Sequence, residues 1–165
     1  MNQLYDDFYL AKYFKGDDSM TFDEAEEYCL DRGSHLATIQ DSDDRDEAKA
    51  LCETYDNVNS RGCWIGLYHQ DTESSWKWED GSDLDYGFDS SGNPTTGVDP
   101  WWPGEPNSDG EDCIHIFENQ QFNWNDAVCG DRNYPICNPT SSYAMSHTYY
   151  IFFMTTNIYN RVSHI

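Results

Sequence analysis

Six cysteines, Cys29, Cys52, Cys63, Cys113, Cys129 and Cys137, constrain this chain more than any other feature. Their number is even, none forms a C-x-x-C pair, and no histidine lies at a zinc-like spacing from them. Zinc ligation is therefore a poor reading, and three disulfides closed in an oxidising compartment is the better one. Six cysteines allow many pairings, so the connectivity stays open at this point. The opening "MNQLYDDFYLAKYF" lacks a basic start followed by an apolar run, so no signal peptide is read there. No stretch is apolar for long enough to span a bilayer.

A chain of 165 residues is the size of one domain with a core of its own. Lys and Arg total 9 against 31 Asp and Glu, a formal net charge of -22. That field repels nucleic-acid phosphates and anionic membranes, so neither is an expected partner. Aromatic residues make up 16% of the chain, which disordered acidic tracts lack, so the acidity decorates a folded body.

The spacing predicts two helices followed by several strands, an α+β arrangement. In "TFDEAEEYCLDRGSHL", Thr21 and Glu24 form a capping box and Gly33 is a C-terminal stop. Phe22, Ala25, Cys29 and the stem of Arg32 recur at helical spacing. Residues 35 to 39 read as a short strand. A second helix is expected at about 43 to 55, capped by Asp41 or Ser42, with Ala48, Leu51, Cys52 and Tyr55 on one face. Its acidic start, "DSDDRDEA", lacks the glycine and glutamate spacing of an EF-hand. "CWIGLYH", "WKWEDGS" with a turn at Asp80-Gly81, "CIHIFEN", "FNWNDAVC" and "YPICN" read as strands. Residues 83 to 112 form a long aperiodic loop, and loops of that length inside a domain are usually functional. Residues 139 to 165 contain no acidic residue and carry "YYIFFM", with the composition of an aggregation-prone strand. An edge strand, an interaction tail and a gene-prediction artefact are all open there. Neither "NPT" is a glycosylation sequon, because proline occupies the middle position.

Within the long loop, "EPNSDGED" packs Glu105, Asn107, Asp109, Glu111 and Asp112 into eight residues. Carboxylates this close repel one another unless water, a cation or a partner offsets the charge. A solvated acidic loop is the bland reading, and a calcium site the sharp one. The ordered set "WIGL", "WKWEDGS", "EPN", "GEDC", "WND" and "ICN" carries a resemblance over residues 5–138. With these motifs and two helices, the chain resembles a C-type lectin domain.

The resemblance implies a disulfide-bonded α+β fold in which two helices flank short antiparallel sheets and a long loop binds calcium and sugar. It implies Cys29–Cys137 and Cys113–Cys129, which leaves Cys52 with Cys63. It places the principal calcium on Glu105, Asn107, Glu111, Asn125 and Asp126, with the Asp126 main-chain carbonyl added and Pro106 in the cis form. Two adjacent sugar hydroxyls would replace water on the ion, each donating to a carboxylate and accepting from an amide. "EPN" implies sugars with equatorial 3- and 4-hydroxyls: mannose, N-acetylglucosamine, fucose or glucose. Protonating Glu105, Glu111 or Asp126 would release the ion.

Some members hold a second calcium. Glu73, Glu111 and Asp112 fit that pattern, but His69 stands where an acidic ligand is usual. Ser108 replaces an acidic or amide residue, with Asp71 or Asp109 as substitutes. Between Tyr86 and Trp101 this chain inserts "GFDSSGNPTTGVDP", expected to flank the sugar site. Trp64, Trp76, Trp78 and Trp124 are expected to pack, with Trp101 or Trp102 better suited to stacking on sugar. His115, alternating with Ile114 and Ile116, is expected at the surface near the site. A secreted or extracellular location follows from the disulfides and the family. The alternative is a protein-binding or ice-binding module on the same scaffold, with calcium only structural. No nucleophile, base and orienting group occur together, so no enzyme is expected.

Overall fold

The computed structural model describes residues 12–54, 62–70, 75–117 and 120–138. Tyr55, residues 5–11 and the segment 139–165 lie outside them.

Helix α1 spans Phe22–Leu30, and both halves of the capping box form: Glu24 N donates to Thr21 Oγ1 and Thr21 N to Glu24 Oε2. Gly33 follows the helix at φ 77°, a left-handed position that glycine takes without steric cost. Phe22, Ala25 and Cys29 are buried. Arg32 is not on that face. It is exposed, with its guanidinium over the Tyr28 ring, 3.5 Å from the centroid. Helix α2 spans Ser42–Cys52, capped by Asp41, whose carboxylate accepts from Asp44 N at 2.9 Å. It stops at Cys52, short of the expected residue 55. Ala48 and Cys52 are buried and Leu51 is half-buried.

The strands are β1 Phe14–Lys15, β2 Cys63–Gln70, β3 Ser75–Trp78, β4 Cys113–Ile116, β5 Trp124–Ala127 and β6 Tyr134–Cys137. Five lie in the order β1-β6-β2-β4-β5, and β3 pairs with β2. Among the pairings of these described strands, only β2–β6 is parallel. Residues 35–39 do not form the expected strand. Leu36 makes a single bridge to Cys137, while Ala37 N donates to Ile136 O and Ala37 O accepts from Gly66 N. The segment is wedged between β2 and β6 so tightly that a Cβ at Gly66 would lie 2.8 Å from Leu36 O. A buried connector, rather than a ladder strand, satisfies those backbone groups.

Three disulfides close as expected: Cys29–Cys137, Cys52–Cys63 and Cys113–Cys129. They tie α1 to β6, the end of α2 to β2, and β4 to the segment after β5. The core holds Ile65, Leu67, Trp78, Ile114, Ile116 and Trp124. Trp101 joins it, 1% exposed, with Nε1 donating to Gly87 O at 2.7 Å and its ring edge-on to Trp124. Its expected sugar-stacking role is therefore corrected, because a locked core indole cannot present a face. Trp102 is half-buried. The insertion is an ordered loop. Phe88 is buried against Trp76 and Trp101, Asp89 accepts from the backbone of Ser91 and Asn93, and Arg45 of α2 pairs with Asp99 at 2.7 Å.

Glu79, just after β3, has its carboxyl pushed up to about 7 by burial, with Glu26 adding to the shift and His35 opposing it. An acid whose folded pKa exceeds its unfolded value favours folding while protonated. The stability is fully present below about pH 4.5 and is lost as pH rises through about 7. Glu79→Gln should therefore stabilise the domain at pH 8 and leave it unchanged at pH 4. Discounted for solvent screening, the gain is about 1 kcal/mol. Thermal unfolding at the two pH values measures it, and an equal shift at both would refute it.

Candidate functional site

The β4–β5 ladder sets the site. Its register pairs Ile114 with Asp126 and His115 with Asn125, so alternation sends Asp126 inward and Asn125 to the opposite face. Asp126 is 1% exposed. Its carboxylate accepts from Asn107 N at 3.0 Å and from Ser108 N at 3.0 Å. A single β5 side chain thereby holds the acidic loop against the sheet. The loop enters through a cis Glu105–Pro106 bond, with Glu105 N donating to Trp102 O.

Glu105 is 6% exposed, and its Oε2 has no hydrogen-bond partner. Burial, then the adjacent Asp126 and Glu111 carboxylates, push its carboxyl well above the usual range. Burial and the charges of Asp126 and Asp131 raise Glu111 as well. Asn107, Glu111 and Asp126 line an open cleft of about 550 Å³. His69, Trp76 and Asp112 line it too.

Of the five predicted ligands, Asn107, Glu111 and Asp126 share the cleft, and Glu105 is buried beside Asp126 and Glu111. The Asn125 side chain is engaged elsewhere. Gln120 Nε2 donates to its Oδ1 at 2.7 Å, and its Nδ2 contacts His115 Nε2 at 3.0 Å and Asp126 O. Among the described residues, no three His, Cys, Asp or Glu side chains converge closely enough to hold a metal ion. The donor types nonetheless fit calcium. All are hard oxygens, and an unpartnered buried carboxylate oxygen among repelling neighbours is a group that a cation neutralises.

Of the predicted second-ion residues, Asp109 and Asp112 line the cleft, and Glu73 and Asp71 lie outside the described residues. Asp112 is paired with His69: Nδ1 lies 3.3 Å from Oδ1, and His69 N donates to Asp112 O at 2.7 Å. His115, expected at the surface near the site, is half-buried beside Asn125. Its ring packs 5.7 Å from Trp64 and stacks on Phe117, and burial pushes its pKa down. Alternation turned His115 away from Ile114 and Ile116, but only the strand register sets it opposite Asn125. Nothing in the sequence signalled Gln120.

The Lectin C-type domain profile matches residues 18–139. The chain belongs to the C-type lectin family. This C-type lectin domain is 33% identical over 144 residues to mouse "C-type lectin domain family 4 member F", covering 81% of this chain and 23% of that protein. The chain thus spans about a quarter of that relative's length. Its fold is similar to the cow CD23 carbohydrate-recognition domain, solved in the presence of GlcNAc2Man3 oligosaccharide. The TM-score is 0.59 at 28% identity, over 78% of this chain and 87% of that one. A calcium-independent type II antifreeze protein is also similar, with TM-score 0.58 at 25% identity, over 76% and 82%. C-type lectin domains are carbohydrate-binding modules rather than enzymes. No helix among the described residues is long and apolar enough to cross a membrane.

Proposed function

We propose that residues 5–138 form a calcium-dependent carbohydrate-recognition domain, with 139–165 as an appended tail, acting outside the cell. Its ligands would be glycans bearing equatorial 3- and 4-hydroxyls, of the mannose, N-acetylglucosamine, fucose or glucose type. The observation that carries this is the placement of Asn107, Glu111 and Asp126 around one cleft, with the Glu105 carboxylate, its Oε2 without a hydrogen-bond partner, buried beside them. Glu105, Asn107, Glu111, Asn125 and Asp126 would hold the ion. Bound calcium supplies coordination positions at which two neighbouring sugar hydroxyls replace water. The carboxylates of Glu105 and Glu111 would accept hydrogen bonds from the hydroxyls, and the amides of Asn107 and Asn125 would donate to the hydroxyl oxygens. Asp126 orients the loop through the Asn107 and Ser108 N–H groups. An intracellular nucleic-acid role does not suit a chain of net charge -22.

The similarity to an antifreeze protein described as calcium-independent favours a second reading, in which the same scaffold binds a protein or ice. Retention on mannose-agarose in millimolar calcium separates the two. The expected result is retention lost on adding a chelator. Passage straight through, with calcium still raising the melting temperature, would leave the metal structural and sink the sugar reading.

A further inference from the structure

The proposed site needs Asn125 to present a carboxamide of defined polarity, yet an amide can turn end for end at little intrinsic cost. Two neighbours remove that freedom. Gln120 Nε2 donates to Asn125 Oδ1 at 2.7 Å. On the other end, Asn125 Nδ2 lies 3.0 Å from His115 Nε2. An amide nitrogen only donates, so the imidazole nitrogen facing it must accept. Turning the amide over would set its oxygen against the Asp126 carbonyl, which can only accept, and would keep the other two bonds only if Gln120 also turned over and His115 moved its proton to Nε2, so the three partners would have to change together.

The imidazole is itself fixed. His115 sits directly across the β4–β5 ladder from Asn125, with Trp64 on the facing strand and Phe117 stacked at 5.6 Å with an interplanar angle of 4°. Gly62 leaves room for the ring: a Cβ there would stand 2.6 Å from His115 Nδ1. One Asn125 Nδ2 hydrogen thus goes to His115 and the other to the Asp126 carbonyl. The first is held by a locked ring. The second points to a group of the proposed calcium site itself, so it is the one that a ligand can take over.

We propose that His115 and Gln120 are positioning residues that clamp the Asn125 carboxamide, fixing its oxygen and nitrogen ends for calcium and for a sugar hydroxyl. This rests on the reading of Asn125 as a ligand. Outer partners of metal ligands typically tune affinity by about 10–100-fold.

The test combines calcium titration calorimetry with side-chain amide NMR. His115→Phe, which keeps an aromatic ring but loses the acceptor, should weaken calcium binding about tenfold and shift the Asn125 NH₂ resonances in calcium-free protein. In an Asn125→Asp background, with no amide to orient, the same change should add nothing. A loss that persists there would mean that the ring is merely structural and would overturn the clamp. So would unmoved amide resonances and affinity. If His115→Phe fails to fold, Gln120→Met makes the same two readings from the other end. Should the unmodified protein bind no calcium, the ligand reading fails by itself, and the amide resonances alone decide whether the clamp exists.

Discussion

Asp126→Ala should abolish calcium-dependent sugar retention and lower the stability of the calcium-free domain. Both effects start from one carboxylate that is 1% exposed. It accepts from the backbone of Asn107 and Ser108. Removing it strands two partly buried N–H donors, each worth roughly 1–3 kcal/mol when left unpaired. Against that loss stands a gain, since Glu105 and Glu111 both lie in the field of Asp126 and are both raised by it. The stranded donors should outweigh the relieved repulsion, for a net loss of about 2 kcal/mol. Asp126→Asn separates the two roles. An amide oxygen can still accept from the loop, so the calcium-free melting temperature should hold near that of the parent, while the lost charge still weakens calcium at least tenfold. Calorimetry and thermal unfolding of both variants decide it. Calcium affinity surviving Asp126→Ala would remove Asp126 from the ligand set.

Which of these features could be read in the sequence depends on how local their causes are. The ends of α1 were legible because Thr21, Glu24 and Gly33 act on their own helix. Likewise β4, β5 and the clustered acids carry their pattern within a few residues. Strand β1 was not legible: its two residues pair with β6 more than a hundred positions away. Nor was the connector at 35–39, whose composition is strand-like but whose place between β2 and β6 is set by Gly66 coming close to it. Trp101 read as a free indole because only the folded loop brings Gly87 O to its nitrogen. At the site, the resemblance to C-type lectins, with five suitable oxygen donors in its motifs, named Glu105, Asn107, Glu111, Asn125 and Asp126. The division of labour among them could not be read, since Asp126 holding the loop is a contact between separate segments, and the turn that brings Gln120 to Asn125 carries no pattern of its own.

Disulfide removal should produce losses ordered by the loop that each bridge closes. Cys29 and Cys137 are both fully buried and 108 positions apart, joining α1 to β6. In the chain-entropy account, opening a loop of that length returns about 5 kcal/mol of freedom to the unfolded state. Cys52–Cys63 closes only 11 positions and should be worth about 3 kcal/mol by the same relation. Alanine replaces cysteine with little polar cost, so paired Cys→Ala variants report mainly on the bridge, with a small cavity penalty common to both sites because all four cysteines are buried. A domain of this size shifts by roughly 2–4 °C per kcal/mol. Cys29→Ala/Cys137→Ala should therefore melt about 10–20 °C below the parent, and Cys52→Ala/Cys63→Ala about 6–12 °C below it. The decisive observation is the order. A Cys52–Cys63 variant that melts lower than the Cys29–Cys137 variant would mean that native packing at the end of α2, not unfolded-state entropy, sets the contribution of that bridge.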